Sequence, residues 1–306
     1  LHVRSRRQRQ MCIRDRSYID YIPSKDGTKL YAKITRAERL FDFELPDDET
    51  LDEQINVIIV HGLAEHLDRY DKITDFLVSN SINVIRYDQR GHGRSEGKKT
   101  HYDHKDQIIE DLDAVVQYVK DNFGNKIYLI GHSMGGYNVA FYGTRYPGRV
   151  NGMITSGGVT RDNNRFFAEA YGDRQTPPDT YFTNVLSEGI CSDLNVVRDY
   201  IHDALVPNEI SMGLTYAIVD GILELKENPD AFVDDVLVLH GQADPIVNPK
   251  DSLQFYDEIA SQHKAIRIYS DLQHEIFNES SYNDLIFQDI VQWIYLTDER
   301  QSGTTF

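Results

Sequence analysis

Cysteine occurs only twice in 306 residues, at positions 12 and 191. That scarcity excludes a disulfide-stapled scaffold and suits a reducing compartment, so the expected location is the cytoplasm. Long apolar runs are missing as well: mean hydropathy is −0.49, and no stretch reaches the ~20 apolar residues that a bilayer-spanning helix needs. Contact with a lipid surface is therefore expected to be transient. Positive charge is in deficit, with 32 Lys and Arg against 49 Asp and Glu. A field of that sign repels polyanions, which argues against nucleic acid as a partner and favours a neutral or zwitterionic small molecule.

Positions 1–16, "LHVRSRRQRQMCIRDR", differ from all that follows. They hold six arginines and one aspartate, with neither an apolar period nor the apolar region of a signal peptide. The string "RQMCIRDR" resembles translated sequencing-adapter read-through, so the segment is expected to be a non-native tail. Without it the formal charge goes from −17 to −22, and Cys12 leaves Cys191 unpaired.

From residue 17 the chain alternates short β-rich runs with longer amphipathic ones. "SYIDYI" and "TKLYAKI" flank the turn signal "PSKDG" and read as a hairpin. Strands are expected at 55–62, 82–88, 126–133, 150–158, 236–241 and 265–271, and helices near 66–80, 102–122, 134–146, 249–262 and 281–298. Most of these strands are continuous apolar runs, as in a sheet covered on both faces, and the alternation defines an α/β architecture. The stretch from about 159 to 232 has no good strand and is far longer than a crossover requires. It reads as an inserted, mainly helical cap, dividing the core into 17–158 and 233–306.

"YLIGHSMGGYNVA", residues 128–140, sets Ser133 between Gly131 and Gly135 where a strand gives way to a helix. This G-x-S-x-G pattern is the nucleophile elbow, in which the turn is so sharp that only glycine fits two residues to either side. A nucleophilic serine needs a base and the base an orienter, and in this architecture they follow in the order Ser, Asp, His. Asp244 in "LHGQADPIVNP" and His274 in "SDLQHEIFNE" each come just past an expected strand. Asp271 competes as orienter but would have to fold back across three residues, so Asp244 is preferred. The oxyanion needs two donors, and the backbone N–H groups of Leu63 and Met134 are best placed. No cofactor is called for.

Metal chemistry finds no frame. H-E-x-x-H fails at "HEIFN", where Asn278 stands in for the second histidine; H-x-x-E-H fails because "HGLAEH" is one residue too long; and His101 and His104 have no further cluster beside them. The glycines of "RYDQRGHGRSEG" have the wrong spacing for a dinucleotide loop and read as a structural turn held by Asp88 and Arg90.

Taken together, "HGLAEHLDRY", "RYDQRGHGRSEG", "GHSMGGYNVA", "LHGQADPIVNP" and "HEIFNE" resemble the monoacylglycerol lipase and lysophospholipase branch of the α/β-hydrolases, the serine aminopeptidase S33-like hydrolases, over about residues 18–298. The resemblance implies an α/β-hydrolase fold: a mostly parallel central sheet flanked by helices, with an inserted helical cap. It implies Ser133 as nucleophile, His274 as general base and then acid, Asp244 as orienter, and the amides of Leu63 and Met134 as oxyanion hole. The implied reaction is hydrolysis of a monoacyl lipid ester through an acyl-enzyme, with a small-ester carboxylesterase or an acyl thioesterase as the alternative. A catalytically silent ligand-binding relative would lack a triad member, and none is lacking. In that family the Glu and Arg of the first stretch lie near the polar head of the ester, here Glu65 and Arg69; an i,i+4 ion pair explains them equally well. Two departures stand out. Ala64 replaces the second glycine of H-G-x-G-E-H, and the cap is longer and carries "YIHDALV", similar to bacterial lysophospholipase-like members. Head-group preference does not carry over, and oligomeric state stays open.

"EISMGLTYAIVDGILEL", residues 209–225, is apolar over more than one helical stripe. Ile210, Leu214, Ala217, Ile218, Ile222 and Leu225 make one face. Met212, Tyr216, Val219 and Leu223 make another, which either is buried within the cap or, with Phe166, Phe167 or Phe182, walls an acyl channel over Ser133.

Overall fold

The structure is a computed structural model that describes residues 17–37, 54–172 and 174–303; the expected non-native tail, with Cys12, lies outside the described residues. Ten strands are found there: β1 (Ser17–Pro23), β2 (Lys29–Thr35), β3 (Asn56–Val60), β4 (Asn83–Tyr87), β5 (Ile127–His132), β6 (Gly152–Ser156), β7 (Tyr181–Thr183), β8 (Glu209–Ser211), β9 (Val236–Gly241) and β10 (Lys264–Tyr269). The α-helices are α1 (Asp71–Ser79), α2 (Asp106–Phe123), α3 (Met134–Arg145), α4 (Phe166–Tyr171), α5 (Leu194–His202), α6 (Met212–Glu227), α7 (Pro249–Glu258) and α8 (Asn283–Gln301).

Eight strands make one sheet in the order β1-β2-β4-β3-β5-β6-β9-β10. The opening hairpin is antiparallel and joins β4 antiparallel through β2, while the rest of the sheet is parallel. The apolar runs explain this placement. Along β3, Ile58 and Val60 pack into one core cluster and Val57 and Ile59 into the other, and β9 divides its Val and Leu residues in the same way. Side chains alternate across a strand, so a continuous apolar run supplies both faces at once. Helices α2, α3 and α6 contribute to the first cluster, α1 and α8 to the second. No helix among the described residues is long and apolar enough to cross a membrane.

Strand order reverses at β3, which lies between β4 and β5 although both follow it in the chain. Crevices form at such a reversal, beyond the carboxyl ends of the strands. The segments after β3, β5, β9 and β10 all emerge at that edge.

Between β6 and β9 the cap is helical through α4, α5 and α6, but it also contains a short antiparallel ladder in which Tyr181 pairs with Ser211 and Thr183 with Glu209. This corrects the expectation of no strand in 159–232. Three residues are too few for a period-2 signal to stand out from a loop.

The start of α3 presses against the sheet. A Cβ at Gly131 would stand 2.1 Å from Gly135 O, and one at Gly135 would stand 2.0 Å from Val60 O. Both contacts are with backbone and cannot be relieved by a rotamer change. Gly135→Ala is therefore expected to destabilise by about 1–3 kcal/mol or more, the size of an overpacking defect, seen as a lower melting temperature in a thermal scan. An unchanged melting temperature would contradict this packing.

Candidate active site

Four loops at the carboxyl edge build the site. Ser133, between β5 and α3, has φ 54° and ψ −118°, a conformation that costs a residue with a side chain about 1–3 kcal/mol. Its N–H donates to Ser156 O at 2.8 Å, and its own carbonyl accepts from Tyr137 N at 3.0 Å. The sharp turn is thus tied to the neighbouring strand behind it and to the helix ahead, and it leaves the side chain at the edge.

Asp244, just after β9, and His274, after β10, meet at 2.7 Å through Oδ2 and Nδ1. The other oxygen of Asp244 accepts from the N–H groups of Ile246 and Val247 at 2.9 and 3.0 Å. Burial opposes ionisation of Asp244, but the charge of His274 and its hydrogen bonds to His240 and His274 outweigh it and hold the carboxyl well below its usual range. Burial likewise works against a charged His274, and Asp244 again prevails, raising the imidazole above its ordinary value. Asp271, the competing orienter, is exposed in a turn at φ 64°.

His240 was not anticipated as a site residue. Its Nε2 lies 3.0 Å from Asp244 Oδ2 and 3.0 Å from Val247 O, and its Nδ1 lies 2.7 Å from Ser252 Oγ. With two acceptors facing Nε2, the proton belongs there and the Ser252 hydroxyl donates to Nδ1. The only signal in the sequence is its position, four residues before Asp244.

The loop after β3 lies against the serine: a Cβ on Gly62 would stand 3.1 Å from Ser133 Cβ. Gln89 N donates to His61 Nε2 at 2.9 Å, which leaves the ring proton on Nδ1, and Nδ1 faces Gly62 O at 2.8 Å. In a trans peptide the carbonyl and the next N–H point in opposite directions, so holding Gly62 O also orients the N–H of Leu63. Burial pushes His61 down to about 4, which keeps it neutral in this role near pH 7. Ala64 has φ 55°, so the alanine that stands in the place of a glycine does occupy the left-handed region. Met134 opens α3, where the helix dipole favours negative charge.

Glu65 and Arg69 are buried. Glu65 Oε2 accepts from Gly62 N at 2.7 Å and from Tyr70 OH at 2.6 Å, and Arg69 Nε lies 3.4 Å from its other oxygen. Arg69 also grips both oxygens of Glu275, at 2.6 and 2.7 Å. Glu275 follows His274 directly; the sequence places it in the failed zinc motif and in the "HEIFNE" stretch without giving it a role.

Two cavities open beside Ser133. One is lined by Leu63, Val159, Phe166, Phe167, Leu186 and Ile246 together with Asp162, Asn163, Asn164, Asn248 and Asp251. The other carries Glu65, His132, Tyr200, His274 and Glu275 together with Ile190, and shares Leu63, Leu186 and Ile246 with the first. Met212, Tyr216 and Leu223 line neither. Met212 and Tyr216 are buried within the cap, with Tyr216 donating to Thr176 O at 2.7 Å, and Leu223 is 44% exposed. Phe182 lines neither cavity, whereas Phe166 and Phe167 line the first.

A sheet of this order, with a strained serine at its carboxyl edge and a buried Asp–His pair on adjacent loops, defines an α/β-hydrolase. A family profile described as "Serine aminopeptidase, S33" matches residues 52–281, and the chain belongs to that family. It is 28% identical over 270 residues to a monoacylglycerol lipase of Mycolicibacterium smegmatis, covering 86% of this chain and 95% of the other. It is 23% identical over 248 residues to the human monoglyceride lipase, covering 78% and 81%. The crystal structure of Paleococcus ferrophilus monoacylglycerol lipase superposes with a TM-score of 0.75 at 26% identity, covering 88% of this chain and 99% of that one. A soluble variant of the Saccharomyces cerevisiae monoglyceride lipase, solved with a substrate analogue, shares the fold with a TM-score of 0.77 at 21% identity, covering 92% and 95%. With these relatives, the chain is a carboxylic ester hydrolase.

The raised pKa of His274 gives a signed expectation. A base must be neutral to act, so kcat/KM rises with pH along a limb centred above the ordinary imidazole value of about 6.5. Asp244→Asn removes the charge that raises it, and should move the limb to lower pH while reducing kcat about 10⁴-fold. A pH–rate series on both proteins checks this; an unmoved limb would break the assignment.

Proposed function

We propose that this enzyme cleaves esters of monoacyl lipids, monoacylglycerols or lysophospholipids, with Ser133 as nucleophile. The observation that carries the reading is that Ser133 lines both a cavity with the more apolar walls, among them Val159, Phe166 and Phe167, and one with the more polar walls, among them His132 and Tyr200. An ester with one long chain and one small hydrated head has that same division, with its carbonyl at the junction. The two monoacylglycerol lipases named above, from Mycolicibacterium smegmatis and Paleococcus ferrophilus, support it.

His274 takes the proton of Ser133 as Oγ attacks the acyl carbonyl, and Asp244 holds the imidazole in the required tautomer and stabilises the imidazolium. The N–H groups of Leu63 and Met134 donate to the oxyanion. His274 then returns the proton to the leaving alcohol. Water enters, loses a proton to His274 and attacks the acyl-enzyme, and the proton goes back to Ser133 as the fatty acid departs. Each step passes a proton among Ser133, His274, the leaving alcohol and water, and the scheme uses no cofactor.

The acyl wall in this reading is Phe166, Phe167, Leu186 and Ile246, in place of the second stripe of α6. Each CH₂ buried there contributes roughly 0.8 kcal/mol of binding, so kcat/KM should climb with chain length until the cavity fills. Phe166→Asp and Leu186→Asp should flatten that climb while acetyl ester hydrolysis changes little. The measurement is a series from acetyl to palmitoyl esters of glycerol and of a glycerophospholipid head. A wild-type optimum at acetyl would reject the lipid reading and leave a small-ester carboxylesterase.

A further inference from the structure

The chain of contacts from Gly62 to Glu275 crosses between two catalytic loops that the sequence separates by more than two hundred residues. Glu65 accepts the N–H of Gly62, the residue whose carbonyl is joined to the Leu63 amide. Arg69 reaches Glu65 with Nε and Glu275 with Nη2. Glu275 also accepts from Asn278 Nδ2 at 2.8 Å, and its own N–H donates to Ile190 O of the cap at 2.6 Å. The next residue back is His274. Tyr70 OH completes the shell of Glu65, and the ring of Tyr200, from α5, covers the guanidinium at 4.9 Å.

Glu65 and Glu275 line the more polar cavity beside Ser133, but as walls whose oxygens are already engaged by protein donors and not as free recognition elements. Glu65 is 4% exposed and Glu275 3%, and the oxygens of both already accept from protein donors. Two carboxylates on one guanidinium out of water are costly to assemble, and such a cluster adds little to stability that well-packed apolar residues could not supply. What apolar residues could not supply is a directional hold on the Gly62 N–H at one end and on the residue after the catalytic histidine at the other.

We propose that Glu65, Arg69 and Glu275 form a clasp of positioning residues that keeps the oxyanion loop in register with the loop of His274. This rests on the ester-hydrolase reading of the site and goes beyond it: Glu65 and Arg69 act through the backbone of Gly62 and Leu63 and do not serve as contacts for the alcohol head. Loss of the clasp lets the Leu63 amide drift from the place where charge develops, which weakens the transition state more than the bound substrate.

The test compares a monoacylglycerol with a p-nitrophenyl ester of the same acyl chain, which has no glycerol head. Glu65→Ala is expected to lower kcat on the order of 10²-fold, the scale of one lost oxyanion donor, by the same factor for both esters and with KM within about twofold. Glu65→Gln, whose amide oxygen can still accept from Gly62, should restore most of that loss. Glu275→Ala should behave like Glu65→Ala, and the double variant should cost far less than the product of the two, since both break one chain of contacts. A rise in KM confined to the monoacylglycerol, with the aryl ester untouched, would overturn the clasp in favour of head-group contact. If Glu65→Ala fails to fold, Arg69→Lys carries the same comparison: equal loss on both esters supports the clasp, and an intact aryl esterase rate overturns it. Because the aryl ester needs only the serine mechanism, the clasp can fail or succeed whether or not the lipid preference holds.

Discussion

A residue with a side chain at φ 54° and ψ −118° relaxes unless its neighbours forbid it, and Ser133 is held there from both sides. Its N–H is tied to β6, its carbonyl to the first turn of α3, and the helix start is wedged between Gly131 and the carbonyl of Val60 with no room for a methyl group. The strain costs about 1–3 kcal/mol, and the core on both faces of the sheet offsets it. From this constraint the other parts take their places. The backbone of Ser133 is fixed at the carboxyl edge, so any group that is to act with its hydroxyl must come from loops at that edge, and those after β3, β9 and β10 bring Gly62, Asp244 and His274 there.

The strands were readable because their signals are local, and a triad could be expected because the order of its members is arithmetic. Apolar runs of five or six residues placed the sheet to within a few residues, and the glycines around Ser133 have no cheaper explanation than the turn they permit. Asp244 could be preferred over Asp271 on the geometry of a chain leaving a strand, and the 2.7 Å contact with His274 agrees. The cap was less legible. The periodicity of α6 correctly marks two apolar stripes, but a stripe says only that something covers it. Here Tyr216 is covered by other parts of the cap, including Tyr171, whose ring meets it edge-on at 5.4 Å. The aromatics that share the first cavity with Ser133, Phe166 and Phe167, come from the short α4, whose six residues are too few for a period.

The groups that were missed share a reason. Glu275 sits inside a zinc motif that failed and His240 four residues before Asp244, and neither spacing points to a role. Their roles arise from tertiary pairing: His240 with an aspartate one turn away in space, Glu275 with an arginine from the far end of the chain. Sequence spacing records the chemistry of a nucleophile because the turn demands it. It does not record which buried donor will find which acceptor.

That pairing also sorts the histidines. His61, His92 and His132 are all buried near the site, and burial presses them down to about 4, 3 and 3. His274 is as deeply buried, yet its value is raised, because Asp244, a carboxylate kept ionised by the charge of His274 and by its hydrogen bonds with His240 and His274, faces its Nδ1. Desolvation is common to all four; the opposed carboxylate at hydrogen-bond distance is what separates one from three. Near neutral pH the other three rings therefore stay uncharged, and His274 is the one of the four suited to hold the proton that the proposed mechanism moves.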